Sequence, residues 1–174
     1  MSFHQGLLVA RLVFGLVMAA HGAQKLFGWF GGYGIAGTGG FFESIGFRPG
    51  KLFAFAAGFG EFASGLLIAL GLLGPIGPAL MLSVMIVAAV SMHLKGGLFA
   101  MNNGIELPLL YATAAVALAL TGFGAYSLDA SLGIASIWSP AVIWAALAIG
   151  VAGALANLGL RRPPVTEAAR SSAQ

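Results

Sequence analysis

Long apolar runs separated by glycine-rich connections constrain the fold of this chain more than any other feature. The runs cover residues 7–27, 52–73, 78–92, 105–121 and 138–158. A helix of about 20 residues is long enough to cross a hydrocarbon core of about 30 Å. Only 7% of the residues are charged, whereas soluble domains carry about 25%. Because so few charged side chains cannot cover a water-soluble core, the sequence predicts an integral membrane protein.

The runs predict an all-α membrane protein, because the alternating short strands of a transmembrane barrel are absent from the sequence. We expect residues 1–130 to form a four-helix transmembrane bundle that includes a glycine-rich segment, 28–50. Residues 131–160 are expected to add a fifth, C-terminal transmembrane helix. Residues 161–174 are polar and proline-containing, and they are predicted to be a disordered cytoplasmic tail.

The glycine-rich segment 28–50 is predicted to lie at the bilayer interface. The aromatic residues typical of an interface stand near its start, at Trp29, Phe30 and Tyr33. Thr38 is a candidate N-cap for a short amphipathic helix over 39–47, with an ordered loop as the alternative. Residues 32–37 match the pattern GxGxxG, but no strand precedes them, so phosphate binding is not expected.

The distribution of basic residues predicts the topology. With five spans, one side of the membrane holds Lys25, Arg48, Lys51, Lys95, Arg161, Arg162 and Arg170. In the loops of the other side, the only charged residue is Asp129. The positive-inside rule therefore places the N-terminus outside and the C-terminus in the cytoplasm of a bacterial inner membrane. A cleaved signal peptide is not expected, because no basic residue precedes the first run and Arg11 lies inside it.

Glu61 lies near the middle of the second run. A charge at that depth costs from about 3 to more than 10 kcal/mol unless it is paired or neutralised. Counted from the predicted cytoplasmic helix ends, Glu61 lies at about 15 Å and Arg11 at about 21 Å. These depths predict an Arg11–Glu61 ion pair between the first two spanning helices. Its expected role is structural, with a direct proton or substrate role as the alternative.

A second polar group is predicted near the cytoplasmic end, where His21, Lys25, His93, Asn103 and Glu106 share one level. Each residue has an ordinary explanation: the dipole of its helix stabilises Glu106, and Lys25 can extend to lipid phosphates. Together, however, they resemble what a quinone headgroup requires. His21 and Lys25 would bind a carbonyl oxygen, His93 and Glu106 would handle protons, and Asn103 would complete the site. A metal site is not predicted, because no HxxxH or HxxE spacing occurs within one helix.

Several stretches of the chain resemble the DoxX family of small bacterial membrane proteins. They are RLVFGLVMAAHGAQK at 11–25, GWFGGYGIAGTGGFF at 28–42, Glu61 before GLLIALGLL, and His93 followed by NGIE at 103–106. The resemblance extends over about residues 7–130. It implies a four-helix membrane bundle and a quinone-linked or redox-partner role, since the family is named from the membrane subunit of a thiosulfate:quinone oxidoreductase. The fifth run is a departure from that pattern.

The leading functional hypothesis is an inner-membrane subunit of a redox system that binds quinone in a cytoplasm-facing pocket. Whether the chain itself catalyses a reaction is left open. It has no Cys and no haem, flavin or iron–sulfur signature, so a partner redox protein would supply electrons. A homo-oligomer is the other assembly considered, and the sparse basic residues do not indicate nucleic-acid binding. The alternatives are a non-catalytic membrane anchor and a small-solute or lipid transporter, which would need Glu61 in a water-accessible cavity.

Overall fold

Residues 3–162, which the computed structural model describes, are almost entirely helical and contain no strand. The helices are α1 (Phe3–Phe27), α2 (Gly34–Ser44), α3 (Gly50–Leu70), α4 (Ile76–Ala88), α5 (Glu106–Thr121), α6 (Leu128–Ser131) and α7 (Pro140–Gly159). A π-helical turn, Ala89–His93, extends α4. Short 3₁₀ turns lie at Trp29–Gly31, Leu94–Gly96, Ala100–Asn102 and Ala135–Ile137. The prediction of an all-α fold is confirmed.

The long helices run between two ends of a bundle, which we call the Lys25 end and the Asp129 end. The Lys25 end contains α2, the last turns of α1, α4 and α7, and the first turns of α3 and α5. The N–H of Arg162, just after α7, donates to the carbonyl of Gly46 there at 2.8 Å. Helix α3 packs against α1, α2 and α4, while α4 also packs against α5 and α7. The fifth predicted helix is therefore part of the bundle.

Four of the described helical segments are long and apolar enough to cross a membrane: Phe3–Phe27, Gly50–Leu70, Ile76–Gly96 and Pro140–Gly159. Helix α5 is also apolar but has only 16 residues, which gives it a length of about 24 Å. Many large apolar side chains on the outer faces of these helices are exposed, as expected where lipid replaces water. The chain is a multi-pass helical membrane protein.

Helices α1 and α3 approach each other closely because glycines stand at their contact. A Cβ on Gly22 would lie 2.6 Å from the carbonyl oxygen of Gly58, and a Cβ on Gly15 would lie 2.6 Å from that of Gly65. Small residues of this kind let the backbones of membrane helices meet. The two contacts fix the antiparallel register of α1 against α3.

This register shows that the predicted Arg11–Glu61 pair is wrong. Opposite Arg11, α3 has already reached its last turn, eight to ten residues beyond Glu61, a separation of roughly 12–15 Å along the axis. The depth estimate failed because it aligned helix ends, whereas α3 extends beyond the last turn of α1 at the Lys25 end. Arg11 is fully buried and donates from Nη2 to the carbonyl of Tyr126 at 2.7 Å. Its Nε and Nη1 have no hydrogen-bond partner among the described residues.

Asp129 holds together the loops at its end of the bundle. Its carboxylate accepts hydrogen bonds from the N–H groups of Leu73 and Gly74, at 2.8 and 2.7 Å, and from Nε1 of Trp138 at 2.8 Å. The side chain is only 2% exposed. A buried carboxylate with three donors fixes the α3–α4 turn against the segment that leads into α7.

The glycine-rich segment contains a helix, as one of the two alternatives predicted, but its bounds differ. Helix α2 begins at Gly34 and ends at Ser44, so it starts five residues before the predicted 39–47. Thr38 is not the N-cap but a buried residue inside the helix. The side of α2 that contains Thr38 faces the bundle.

The first residues of the predicted tail are ordered against the turn between α2 and α3. Arg161 donates from Nε to the carbonyl of Ile45 at 2.7 Å, and its guanidinium lies 6.0 Å from the centre of the Phe47 ring. Disorder is therefore wrong for Arg161 and Arg162. The rest of the predicted tail, 163–174, lies outside the described residues.

Candidate functional site

A cavity of about 960 Å³ lies within the half of the bundle toward the Lys25 end. Helices α1 to α5 and α7 all contribute to its wall. Most of the wall is apolar or aromatic. The polar side chains among the lining residues are His21, Gln24, Lys25, Tyr33, Thr38, Glu61, Ser83, Ser91, His93, Tyr111 and Asn157. Ligand pockets are usually of about 300–1,000 Å³ and combine apolar walls with a few polar groups. This cavity therefore has the size and composition of a small-molecule site.

A Lys25–Glu61 ion pair is the only salt bridge among residues 3–162. The ammonium of Lys25, in the last turn of α1, lies 2.8 Å from Oε1 and 2.5 Å from Oε2 of Glu61 on α3. The side chain of Glu61 is 5% exposed and that of Lys25 is 26% exposed. Lys25 thus reaches back along the bundle instead of extending to the interface, and its charge compensates the buried carboxylate.

The ammonium of Lys25 keeps one donor for a ligand. A lysine ammonium carries three N–H groups, and the two oxygens of Glu61 engage two of them. Both residues line the cavity. The pair therefore has no net charge, and its ammonium presents a hydrogen-bond donor to an otherwise apolar space.

His21 and Tyr111 form the neighbouring part of the wall. His21 lies one helical turn before Lys25 on the same side of α1. Its ring meets that of Tyr111 on α5 edge-on, with 6.2 Å between centroids. Phe14 packs edge-on against the same tyrosine at 5.7 Å. The imidazole and the phenol are thus held beside the ion pair by aromatic packing.

The structure divides the group of residues predicted at the Lys25 end. His21, Lys25 and His93 line the cavity, whereas Asn103 and Glu106 do not. Oε2 of Glu106 accepts a hydrogen bond from the N–H of Ala100 at 2.7 Å. That bond stabilises the short connection between α4 and α5, so Glu106 holds its own loop and lies outside the cavity wall.

Asn103 also belongs to that connection. It has a left-handed conformation, with φ 57°, which asparagine tolerates better than most residues. Nδ1 of His93 lies 3.0 Å from its backbone carbonyl oxygen. Asn103 therefore orients His93 through its backbone, and its predicted role as a ligand-binding residue has no support in this geometry.

Sequence reasoning finds only part of the site. The sequence marks Glu61 as unusual, but the cation predicted for it is the wrong one. Tyr111 and Ser83 give no signal, because either residue is common in an apolar helix. Asn157 is detectable as the one amide in the fifth run. Within residues 3–162, no group of three His, Cys, Asp or Glu side chains is placed to hold a metal ion.

Comparison with known proteins identifies the family. The profile of the DoxX family matches residues 6–94, which is just over half of the chain and extends from α1 to the end of the π-helical turn. The matched part contains Lys25, Glu61 and His93 but neither Tyr111 nor Asn157. No curated protein and no solved structure matches the chain. The match over residues 6–94, together with the helical membrane bundle, shows that the chain belongs to the DoxX family.

Proposed function

We propose that this protein is a quinone-binding membrane subunit of a redox system, with the quinone headgroup in the cavity beside Lys25 and Glu61. The observation that carries the proposal is the charged pair on the wall of a largely apolar cavity inside a membrane bundle. Ionisable residues at such depth are costly, and they commonly mark substrate or proton pathways. The family resemblance to a quinone-linked subunit points to the same ligand class.

The side chains on the wall fit a quinone headgroup. A quinone ring is flat and apolar, and its carbonyl oxygens accept hydrogen bonds. The free N–H of Lys25 and a ring nitrogen of His21 are suitable donors to one carbonyl oxygen. Tyr111 and the apolar wall suit the ring itself. An isoprenoid tail would extend between the helices into the lipid.

Reduction of a quinone to a quinol takes two electrons and two protons. We propose that the electrons come from a partner redox protein, because the chain has no Cys and no cofactor motif. Lys25 would stabilise negative charge that develops on the carbonyl oxygen. Glu61 and His93 would transfer protons from the Lys25 end. The concentration of basic residues at that end favours placing it in the cytoplasm.

The direct test is quinone binding by the purified protein in lipid nanodiscs. A short-chain quinone is titrated and its dissociation constant is measured by calorimetry. We expect K25M and H21A to weaken binding at least tenfold, or about 1.4 kcal/mol. E106Q is the matched control and should bind like the native protein, because its carboxylate caps a loop outside the cavity.

Two results would overturn the proposal. One is the absence of saturable quinone binding by the native protein. The other is binding that K25M and H21A leave unchanged. In that case co-purification of a redox partner with the K25M/E61Q double variant would favour a non-catalytic anchor.

One observation favours a second function. Glu61 lies on a cavity that includes residues of the Lys25 end of the bundle, which is what a small-solute or lipid transporter would require of it. Transport into proteoliposomes that is abolished by E61Q, without any quinone binding, would support this alternative over the first.

A further inference from the structure

We propose that Asn157 on α7 binds the second carbonyl oxygen of a 1,4-quinone and thereby determines which ring the cavity accepts. This inference rests on the proposed quinone site and adds a residue that lies outside the part of the chain matched by the family profile. It assigns to α7 a role in ligand recognition in addition to packing.

Asn157 continues the buried face of α7. The buried residues of this helix are Leu147, Gly150 and Ala154, and the spacing of three and four residues places Asn157 next on the same face. Asn157 is half-buried and lines the cavity. The preceding residue, Ala156, lies about 100° away around the helix and is exposed.

The packing of α7 on α4 sets the depth of Asn157. A Cβ on Gly150 would lie 2.5 Å from the carbonyl oxygen of Ala79, and one on Gly153 would lie 3.7 Å from Oγ of Ser83. Asn157 is one turn beyond Gly153, toward the Lys25 end.

The packing of α3 on α4 places Glu61 at a similar depth. A Cβ on Gly60 would lie 2.9 Å from Cγ2 of Val84, which puts the neighbouring Glu61 level with Ser83. Asn157 therefore lies within about one helical turn of the Lys25–Glu61 pair along the bundle axis. The cavity has a charged group contributed by α1 and α3 and an uncharged amide contributed by α7 at nearly the same level.

The amide of Asn157 makes no hydrogen bond within the part of the chain that the structure describes. An asparagine amide offers two donors and an acceptor oxygen, and buried polar groups are normally paired with protein, water or ligand. An amide on the wall of a largely apolar cavity is therefore available to a polar atom of the molecule that fills it.

A 1,4-quinone supplies two such atoms, because its carbonyl oxygens lie on opposite edges of the ring. If Lys25 donates to one oxygen, the NH₂ of Asn157 is a donor for the other. The amide exchanges no proton with the ligand, so its contribution is orientation and selection. A ring with only one such oxygen would leave the amide unpaired, and a site built to hydrogen-bond a group discriminates strongly against analogues that lack it.

The experiment compares two ligands on the full-length protein in nanodiscs. One is a short-chain 1,4-quinone, and the other is the phenol of the same substitution, which has one ring oxygen, as a hydroxyl, and no oxygen at the position of the second carbonyl. The native protein should bind the quinone at least tenfold more tightly than the phenol. In N157L, the dissociation constant for the quinone should rise about tenfold while that for the phenol stays the same, so that the preference is lost.

Two further variants make the result interpretable. A156L adds the same side chain on the exposed side of the same turn and should keep the native preference. N157A removes the amide without adding bulk, so it covers the case in which N157L fails to fold, and it should also lose the preference. The inference is overturned if both Asn157 variants still prefer the quinone tenfold. If the native protein binds no quinone at all, the proposed function fails first.

Discussion

The Lys25–Glu61 pair makes a quantitative prediction about stability. K25M leaves a carboxylate that is 5% exposed without its cation. Breaking a buried ion pair in this way costs about 3–5 kcal/mol. Because the Lys25 side chain is 26% exposed, water screens part of the interaction, and we expect a loss of roughly 2–3 kcal/mol.

The double variant K25M/E61Q should recover most of that loss. It removes both charges and leaves only a neutral amide at Glu61, so it should be within about 1 kcal/mol of the native protein. The resulting coupling energy between the two positions is about 2 kcal/mol. It can be measured from reversible unfolding in mixed detergent micelles, followed by helical circular dichroism for the native protein and the three variants.

The control is a second double-mutant cycle, which combines E61Q with a substitution of Arg11 instead of Lys25. Because Arg11 is separated from Glu61 by roughly 12–15 Å along the bundle, R11M and E61Q should be additive to within about 0.5 kcal/mol. A large coupling in the Arg11 cycle with none in the Lys25 cycle would refute the register derived from the glycine contacts. Additivity in both cycles would refute the ion pair.

Two further predictions concern packing and the loops. In G22A, the new Cβ would lie 2.6 Å from the carbonyl oxygen of Gly58 and closer still to the backbone nitrogen of Phe62. Helices α1 and α3 must therefore separate by roughly 1 Å to reach normal contact, at about 1–3 kcal/mol. G6A, in the same helix with nothing within 4 Å, is the control, and equal melting temperatures for the two variants would contradict the close-contact argument. D129N places an NH₂ group against N–H donors and should lower stability by roughly 1.5–3 kcal/mol. Its tryptophan emission should shift, because the hydrogen bond from Trp138 loses a charged acceptor, and unchanged emission with native stability would contradict the assigned role.

The apolar runs allowed the fold to be predicted because a membrane helix is specified mainly by length and hydrophobicity.

The bounds of α2 were missed for a physical reason. A search for N-caps favours Thr38, whereas this helix begins at Gly34 without a side-chain cap. The predicted fifth helix exists, but the spacing of its small residues does not identify the face that packs: Ala148, Ala152 and Ala156 recur every four residues, and all three are exposed.

The candidate site was predicted only in part because its composition depends on helix register. The sequence marks His21, Lys25 and Glu61 as polar residues in apolar runs. It does not show that two glycine contacts shift α3 past the end of α1 and bring Glu61 within reach of Lys25. Asn157 lies more than 90 residues away in sequence from Glu61, and only tertiary packing places it near the same depth.

The π-helical turn Ala89–His93 changes the direction in which the residues at the end of α4 face. Its hydrogen bonds span five residues instead of four, so it accommodates one residue more than an α-helical turn. In an α-helix one residue corresponds to a rotation of about 100°. His93 therefore faces the direction that an uninterrupted helix would give to a different residue, and that direction is the cavity. Because such an insertion rotates only the residues on its C-terminal side, it changes the direction of His93 while the preceding residues of α4 keep the faces that contact α3, α5 and α7.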